Sequence, residues 1–190
     1  MNRREALNMV ALLMGGTVVG GTVFLEGCKT ADKKSVAALP LTKEQIAFLD
    51  EVAETIIPAT NTPGAKAAKV GEFMNTMVTD CYEEKDQTIF LAGLGKVDEA
   101  SQAAFKKDFL DITPEQRKEM LSKVDKEAAE YIKNKKKEDP NHYFTMMKQL
   151  TLLGFFSSEV GATQALRYVA VPGKYEGCIE YKKGDKAWAI

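Results

Sequence analysis

The chain has 190 residues, of which 45% are hydrophobic, and its 26 Lys and Arg residues nearly balance its 27 Asp and Glu residues, for a formal net charge of −1 at pH 7. With this balance the chain lacks the excess of positive charge that attracts nucleic acid, and it lacks the acidic excess found in disordered tails. We therefore expect one globular domain that does not bind nucleic acid.

Residues 1–27 have the composition of an export signal. Arg3 and Arg4 precede an uncharged apolar run, residues 6–25. The run is long enough to cross a bilayer, but its four glycines lower its hydrophobicity and helix propensity, which favours a cleaved signal over a transmembrane anchor. Paired arginines before apolar residues resemble a twin-arginine signal, which directs folded proteins to the Tat translocase. Ala6 stands where that signal often has phenylalanine, and general secretion is the alternative.

The end of the apolar run resembles a lipobox. Leu25 lies three residues before Cys28, and small Gly27 lies immediately before it, whereas Glu26 departs from the pattern. This favours lipidation of Cys28 and a membrane-anchored lipoprotein; the alternative is cleavage nearby, with Cys28 lost or free. Residues 28–40 are largely polar and aperiodic, which suits a tether.

Residues 41–190 carry a succession of helix signals. A capping box from Thr42 to Gln45 starts the first helix, which ends before Pro58. A second apolar stripe runs from Val70 to Cys81, and predicts that Cys81 points inward or toward a neighbouring element.

Two glycines interrupt the third predicted helix, which extends from Asp86 to about Phe105. Gly93 and Gly95 each weaken it by about 1 kcal/mol relative to alanine. Thr113 and the proline after it start a fourth helix.

After Pro140 the sequence is apolar on more than one helical face. Such a helix is either central to the core or covered by another chain. We predict that it runs to about Phe156, breaks at Ser157 and Ser158, and is followed by a shorter helix ending near Tyr168. The fold class is therefore all-α, a compact domain of about five to six helices with a long irregular C-terminal segment.

The sequence offers no assembled set of catalytic groups. Its single histidine, His142, has no clustered cysteine or second histidine with which to bind zinc, and is interpreted as a surface or capping residue. Ser157 and Ser158 have only the Glu159 carboxylate beside them, and Glu159 is expected to accept backbone donors at the start of the next helix. We expect no catalytic, cofactor-binding or metal-binding residue in this chain. Cys81 and Cys178 are either a disulfide pair in an oxidising compartment or two buried free thiols.

Two segments resemble the small subunit of gluconate 2-dehydrogenase, the subunit 3 family. The resemblance covers about Leu41 to Trp188 and is strongest from Ile56 to Met74 and from Leu150 to Cys178. Its most specific features are Ile57-Pro58, Thr62-Pro63-Gly64-Ala65, Gly154-Phe155-Phe156-Ser157-Ser158-Glu159, and Pro172-Gly173 with Tyr175 and Cys178.

The resemblance implies an accessory role. In that family the small subunit has no known active site and accompanies a large FAD-dependent dehydrogenase of the glucose-methanol-choline type, often with a cytochrome c subunit whose haem c receives the electrons. A flavoprotein folds around its cofactor in the cytoplasm, so a partner without its own signal would cross the membrane with this chain. We therefore expect a periplasmic, membrane-anchored export escort of a sugar, polyol or sugar-acid dehydrogenase. A stand-alone lipid-anchored periplasmic binding protein is the alternative.

The resemblance also suggests particular residues. Together with the exported location, it favours a disulfide between Cys81 and Cys178. Specific turns and aromatic residues are more than core packing requires, which suggests a partner interface. The alternative is a tight turn at Pro63 and Gly64 and a core role for both phenylalanines. The expected interface residues are Pro58, Thr62, Pro63, Gly64, Phe155, Phe156, Ser157, Ser158, Glu159, Pro172, Gly173 and Tyr175.

Overall fold

The computed structural model describes residues 39–171, 173–174 and 177–189. The predicted export signal with Arg3 and Arg4, the lipidation site Cys28 and most of the tether lie outside these residues. So do Pro172 and Tyr175 of the expected interface. The predictions made for all of them stay predictions.

The described part of the chain is helical and contains no strand. The sole pairing of β type in it is an isolated bridge between Arg167 and Trp188. The all-α prediction is confirmed. The five α-helices are α1 (Lys43–Ile56), α2 (Val70–Cys81), α3 (Glu84–Phe105), α4 (Pro114–Asn134) and α5 (Tyr143–Ser157), with 3₁₀ turns at Ala65–Ala68 and Phe109–Asp111 and a π-helical turn at Gly161–Ala165.

Both predicted capping boxes are present. At α1 the Thr42 hydroxyl accepts a hydrogen bond from the Gln45 amide at 3.3 Å, and Gln45 Oε1 accepts one from the Thr42 amide at 2.9 Å. Thr113 and Gln116 make the same exchange at α4, at 3.3 and 3.0 Å. Local hydrogen bonding therefore fixes where these two helices begin.

Helix α5 lies at the centre of the domain, because it contacts all four other α-helices. Its inward residues, among them Phe144, Met147 and Phe155, are buried. The close approach of α3 depends on Gly93: a Cβ atom there would lie 2.6 Å from Cδ2 of Tyr143. Of the two roles predicted for an apolar helix at this position, the central one is confirmed.

Two expectations about where helices end are corrected. Cys81 is exposed rather than inward, because burial along α2 ends at Val78 and the chain turns into α3 within three residues of Cys81. The short helix expected near Tyr168 ends earlier, as the π-helical turn. Beyond that turn the Arg167 amide donates to the Ala187 carbonyl at 2.7 Å, which returns the C-terminal segment to the end of the helical domain.

Candidate partner-docking surface

The loop after α1 is held in a fixed shape by the carboxylate of Glu54. Its Oε1 accepts a hydrogen bond from the Ala59 amide and its Oε2 accepts one from the Lys66 amide, both at 2.9 Å. A Cβ atom at Gly64 would lie 2.2 Å from Glu54 Oε1, so a side chain at this position would displace the Glu54 carboxylate from the two amides. Pro58 is exposed at the start of the loop.

A charged cluster beneath this loop connects it to α4. Glu51 forms ion pairs with Lys66 and with Arg117, whose Nη1 lies 2.7 Å from Glu51 Oε2. Arg117 also donates to the carbonyls of Phe109 and Leu110, at 3.0 and 2.7 Å. The Lys66 hydrogen bond, aided by the charge of Arg117, lowers the pKa of Glu51. Because Glu51 and Arg117 each have several partners, this cluster supports the loop rather than forming a reactive site.

The second family-specific segment closes α5. Ser158 Oγ donates to the Phe155 carbonyl at 2.7 Å and accepts from the Gly161 amide at 2.9 Å. The capping role predicted for Glu159 is therefore wrong, because the Gly161 amide bonds to the Ser158 hydroxyl and the N-cap of the π-helical turn, Val160, makes no side-chain cap hydrogen bond. The predicted helix break at Ser157 and Ser158 is confirmed, since α5 ends there.

The structure divides the expected interface residues by exposure. Phe155 is 2% exposed and Gly64 is buried, so these two residues support the surface from below. Thr62, Pro63 and Ser158 are half-buried. The exposed members are Pro58, Phe156, Ser157, Glu159 and Gly173.

Elements carrying the two segments are in contact. The turn Ala65–Ala68, which follows the loop, packs against α5. The family-specific residues that are separate in sequence therefore belong to neighbouring parts of one domain.

Exposed apolar residues missed by the sequence reasoning lie beside Phe156 on α5. Leu152 is 41% exposed and Leu153 is 52% exposed, compared with 42% for Phe156. With Gln149 they follow helical spacing along one side of α5. That spacing is a visible signal in the sequence, but a helix that is apolar all round conceals which side is buried.

Cys81 and Cys178 are both exposed and unbonded in the structure. The predicted disulfide is therefore not present here. The expectation of buried thiols is wrong for both residues. Their pairing in exported protein stays a prediction.

His142 caps α5, as its position suggested. Its Nδ1 accepts a hydrogen bond from the Phe144 amide at 3.3 Å, and its ring lies 4.3 Å from the ring of Tyr143. Burial lowers the pKa of His142, and burial raises the pKa of Tyr143 to about 12. Both groups are therefore neutral near pH 7, and the geometry gives His142 a structural role.

Within the described residues there is no group of three or more His, Cys, Asp and Glu side chains placed to hold a metal ion. Nor is any helix in this part of the chain long and apolar enough to span a membrane.

The described domain is helical and exposes one apolar side of α5. The family model described as Gluconate 2-dehydrogenase subunit 3 matches residues 43–173, more than two thirds of the sequence. The chain belongs to this family, which is a subunit of a dehydrogenase complex, and the resemblance is confirmed. Comparisons with curated proteins and with solved structures each found no match.

Proposed function

We propose that this chain is the non-catalytic small subunit of a periplasmic, membrane-associated, FAD-dependent dehydrogenase that oxidises a sugar or sugar acid. The observation that carries the proposal is the family match over residues 43–173. Support comes from the surface of α5, where Leu152, Leu153 and Phe156 are exposed on a helix whose other side is buried. An apolar helix side of this kind is typical of a protein interface.

The chemistry belongs to the partner in this proposal. The large subunit is a flavoprotein of the glucose-methanol-choline type, which holds FAD, and a cytochrome c subunit with haem c accepts the electrons. This chain stabilises the flavoprotein and holds it at the membrane.

Export is the second part of the proposed role. Arg3 and Arg4 direct this chain to the Tat translocase, which carries folded proteins. A flavoprotein already folded around FAD crosses with it, and the lipid on Cys28 then anchors the complex. Residues 29–40 lie between the anchor and α1, and their polar composition suits a tether.

The proposal is tested by comparing the chain alone with the chain purified from its own cells through a C-terminal affinity tag. The chain alone is expected to be colourless and unable to reduce a dye with glucose or gluconate. The preparation from cells is expected to contain a dehydrogenase with a flavin spectrum and dye-reducing activity. A flavin or haem spectrum in the isolated chain would contradict the non-catalytic role, and a preparation without a dehydrogenase would favour the stand-alone binding protein.

A further inference from the structure

One side of α5 forms an apolar stripe on the surface of the domain. We define the stripe as Gln149, Leu152, Leu153 and Phe156, which recur at intervals of three, one and three residues and so share one helix side. The three apolar members are between 41% and 52% exposed. Scattered exposed apolar residues are ordinary, but a row of three on one helix is a candidate contact surface.

The stripe is free of charge. No Asp, Glu, Lys or Arg occurs from Gln149 to Ser158, in a chain of which 28% of residues are charged. The nearest cation along the helix is Lys148, whose Nζ lies 2.8 Å from both carboxylate oxygens of Asp125 on α4. Glu159 is the first charge beyond the stripe and is exposed.

The stripe is also held rigidly by packing on the opposite side of α5. A Cβ atom at Gly154 would lie 2.6 Å from Cδ1 of Phe73, so the absent side chain allows this ring of α2 to lie directly against α5. The ring of Phe156 packs edge-on against buried Phe155 at a centroid distance of 5.1 Å. A surface fixed in this way loses little conformational entropy on binding.

We propose that this stripe is the surface on which the dehydrogenase subunit docks, with Leu153 and Phe156 inserted into an uncharged, apolar groove of that subunit. The inference rests on the proposed function and names the contact that it requires. The absence of charge selects the kind of partner: an uncharged stripe matches an apolar protein groove. Helices that lie on a bilayer are instead flanked by Lys and Arg that bind anionic lipids. Here the neighbouring cation is paired and the next charge is negative.

The experiment compares Leu153→Glu with a matched control, Ile132→Glu. Ile132 is 45% exposed on α4, so the control places the same charge on a helix at similar exposure but outside the stripe. Each full-length variant is expressed with a C-terminal affinity tag in the cells that produce the protein, and the dehydrogenase recovered is measured by mass spectrometry and flavin absorbance. Leu153→Glu is expected to reduce recovery at least about tenfold, the effect of a buried interface anchor, while Ile132→Glu leaves it unchanged.

A third variant, Leu153→Ala, and thermal unfolding of all the chains separate docking from folding. Because Leu153 is half exposed, all three variants are expected to melt close to the wild type, and Leu153→Ala is expected to reduce recovery less than Leu153→Glu. Undiminished recovery with Leu153→Glu would overturn the inference alone. So would a Leu153→Glu chain that keeps its dehydrogenase but loses association with vesicles of phosphatidylglycerol, or one that only dissociates from a second copy of itself. A wild-type preparation without a dehydrogenase would overturn the proposed function and this inference with it.

Discussion

His142 both caps α5 and contacts two aromatic rings. It occupies the N-cap of α5, where its Nδ1 accepts a hydrogen bond from the Phe144 amide, and its ring is tilted against those of Tyr143 and Tyr131 at centroid distances of 4.3 and 5.6 Å. Accepting that hydrogen bond requires an unprotonated Nδ1. Burial, together with the charge of Lys96, lowers the pKa of His142, while Glu127 opposes the shift.

This pKa shift predicts a loss of stability in mild acid. Because the pKa in the folded state lies below the ordinary value of 6.5, the stabilisation by neutral His142 is complete above that pH and is lost as the pH falls through the folded pKa. His142→Asn keeps a capping side chain and removes the titration. Urea unfolding from about pH 7 to about pH 5 should show a smaller decrease in the free energy of unfolding for His142→Asn than for the wild type. Parallel pH profiles for the two proteins would contradict this role.

Helix α3 contains two glycines that look equivalent in the sequence but have different surroundings in the structure. Both were expected to weaken the helix equally. A Cβ atom at Gly93 would lie 2.6 Å from the Tyr143 ring and 2.7 Å from its Cβ atom, whereas one at Gly95 would meet nothing within 4 Å. Gly93 therefore allows α3 to approach α5, and Gly95 carries only the cost of backbone flexibility.

Alanine substitutions at these two positions should have opposite effects. Gly95→Ala should increase the free energy of unfolding by about 1 kcal/mol, because alanine is the better helix former. Gly93→Ala should decrease it by about 1 to 3 kcal/mol, because the added methyl group forces α3 and α5 apart. Denaturant unfolding of the two variants measures both changes. A stabilising Gly93→Ala would show that the packing of α3 on α5 is looser than the structure describes.

The elements that were predictable from sequence are those specified by local chemistry. Two capping boxes and two prolines, Pro58 and Pro114, set the bounds of α1 and the start of α4, and the break after Ser157 was visible in its serine pair. Tertiary packing decided the exposure of Cys81 and the role of Gly93. Periodicity placed Cys81 inward because it cannot show that burial along α2 ends at Val78. The role of Gly93 depends on Tyr143, which is far from it in sequence.

For the whole molecule, the candidate docking surface was only partly predictable. The family-specific residues indicated the segments that carry the candidate surface, but turn chemistry and aromatic content do not distinguish a residue that supports a surface from one that forms it. Thus Phe155 and Phe156 are adjacent in sequence, yet one is buried and the other is exposed. Leu152 and Leu153 were missed because α5 is apolar on both its buried and its exposed sides.

The central claim for the whole molecule is that this chain escorts a folded flavoprotein across the membrane. Replacing Arg3 and Arg4 with lysine keeps the charge of the leader but removes the paired arginines that mark the Tat route. A matched control, Cys28→Ala, leaves the arginines intact and removes the attachment point of the lipid. The control is expected to permit export of both chains and to release the complex from the membrane.

The most direct measurement is the distribution of the flavoprotein between cytoplasm and periplasm in cells that carry the lysine variant. The flavoprotein is detected in each fraction by mass spectrometry and by dye reduction. The account predicts that this chain and the dehydrogenase both remain in the cytoplasm, while Cys28→Ala cells have both in the periplasm. A dehydrogenase exported to the same extent in lysine-variant and wild-type cells would contradict the account.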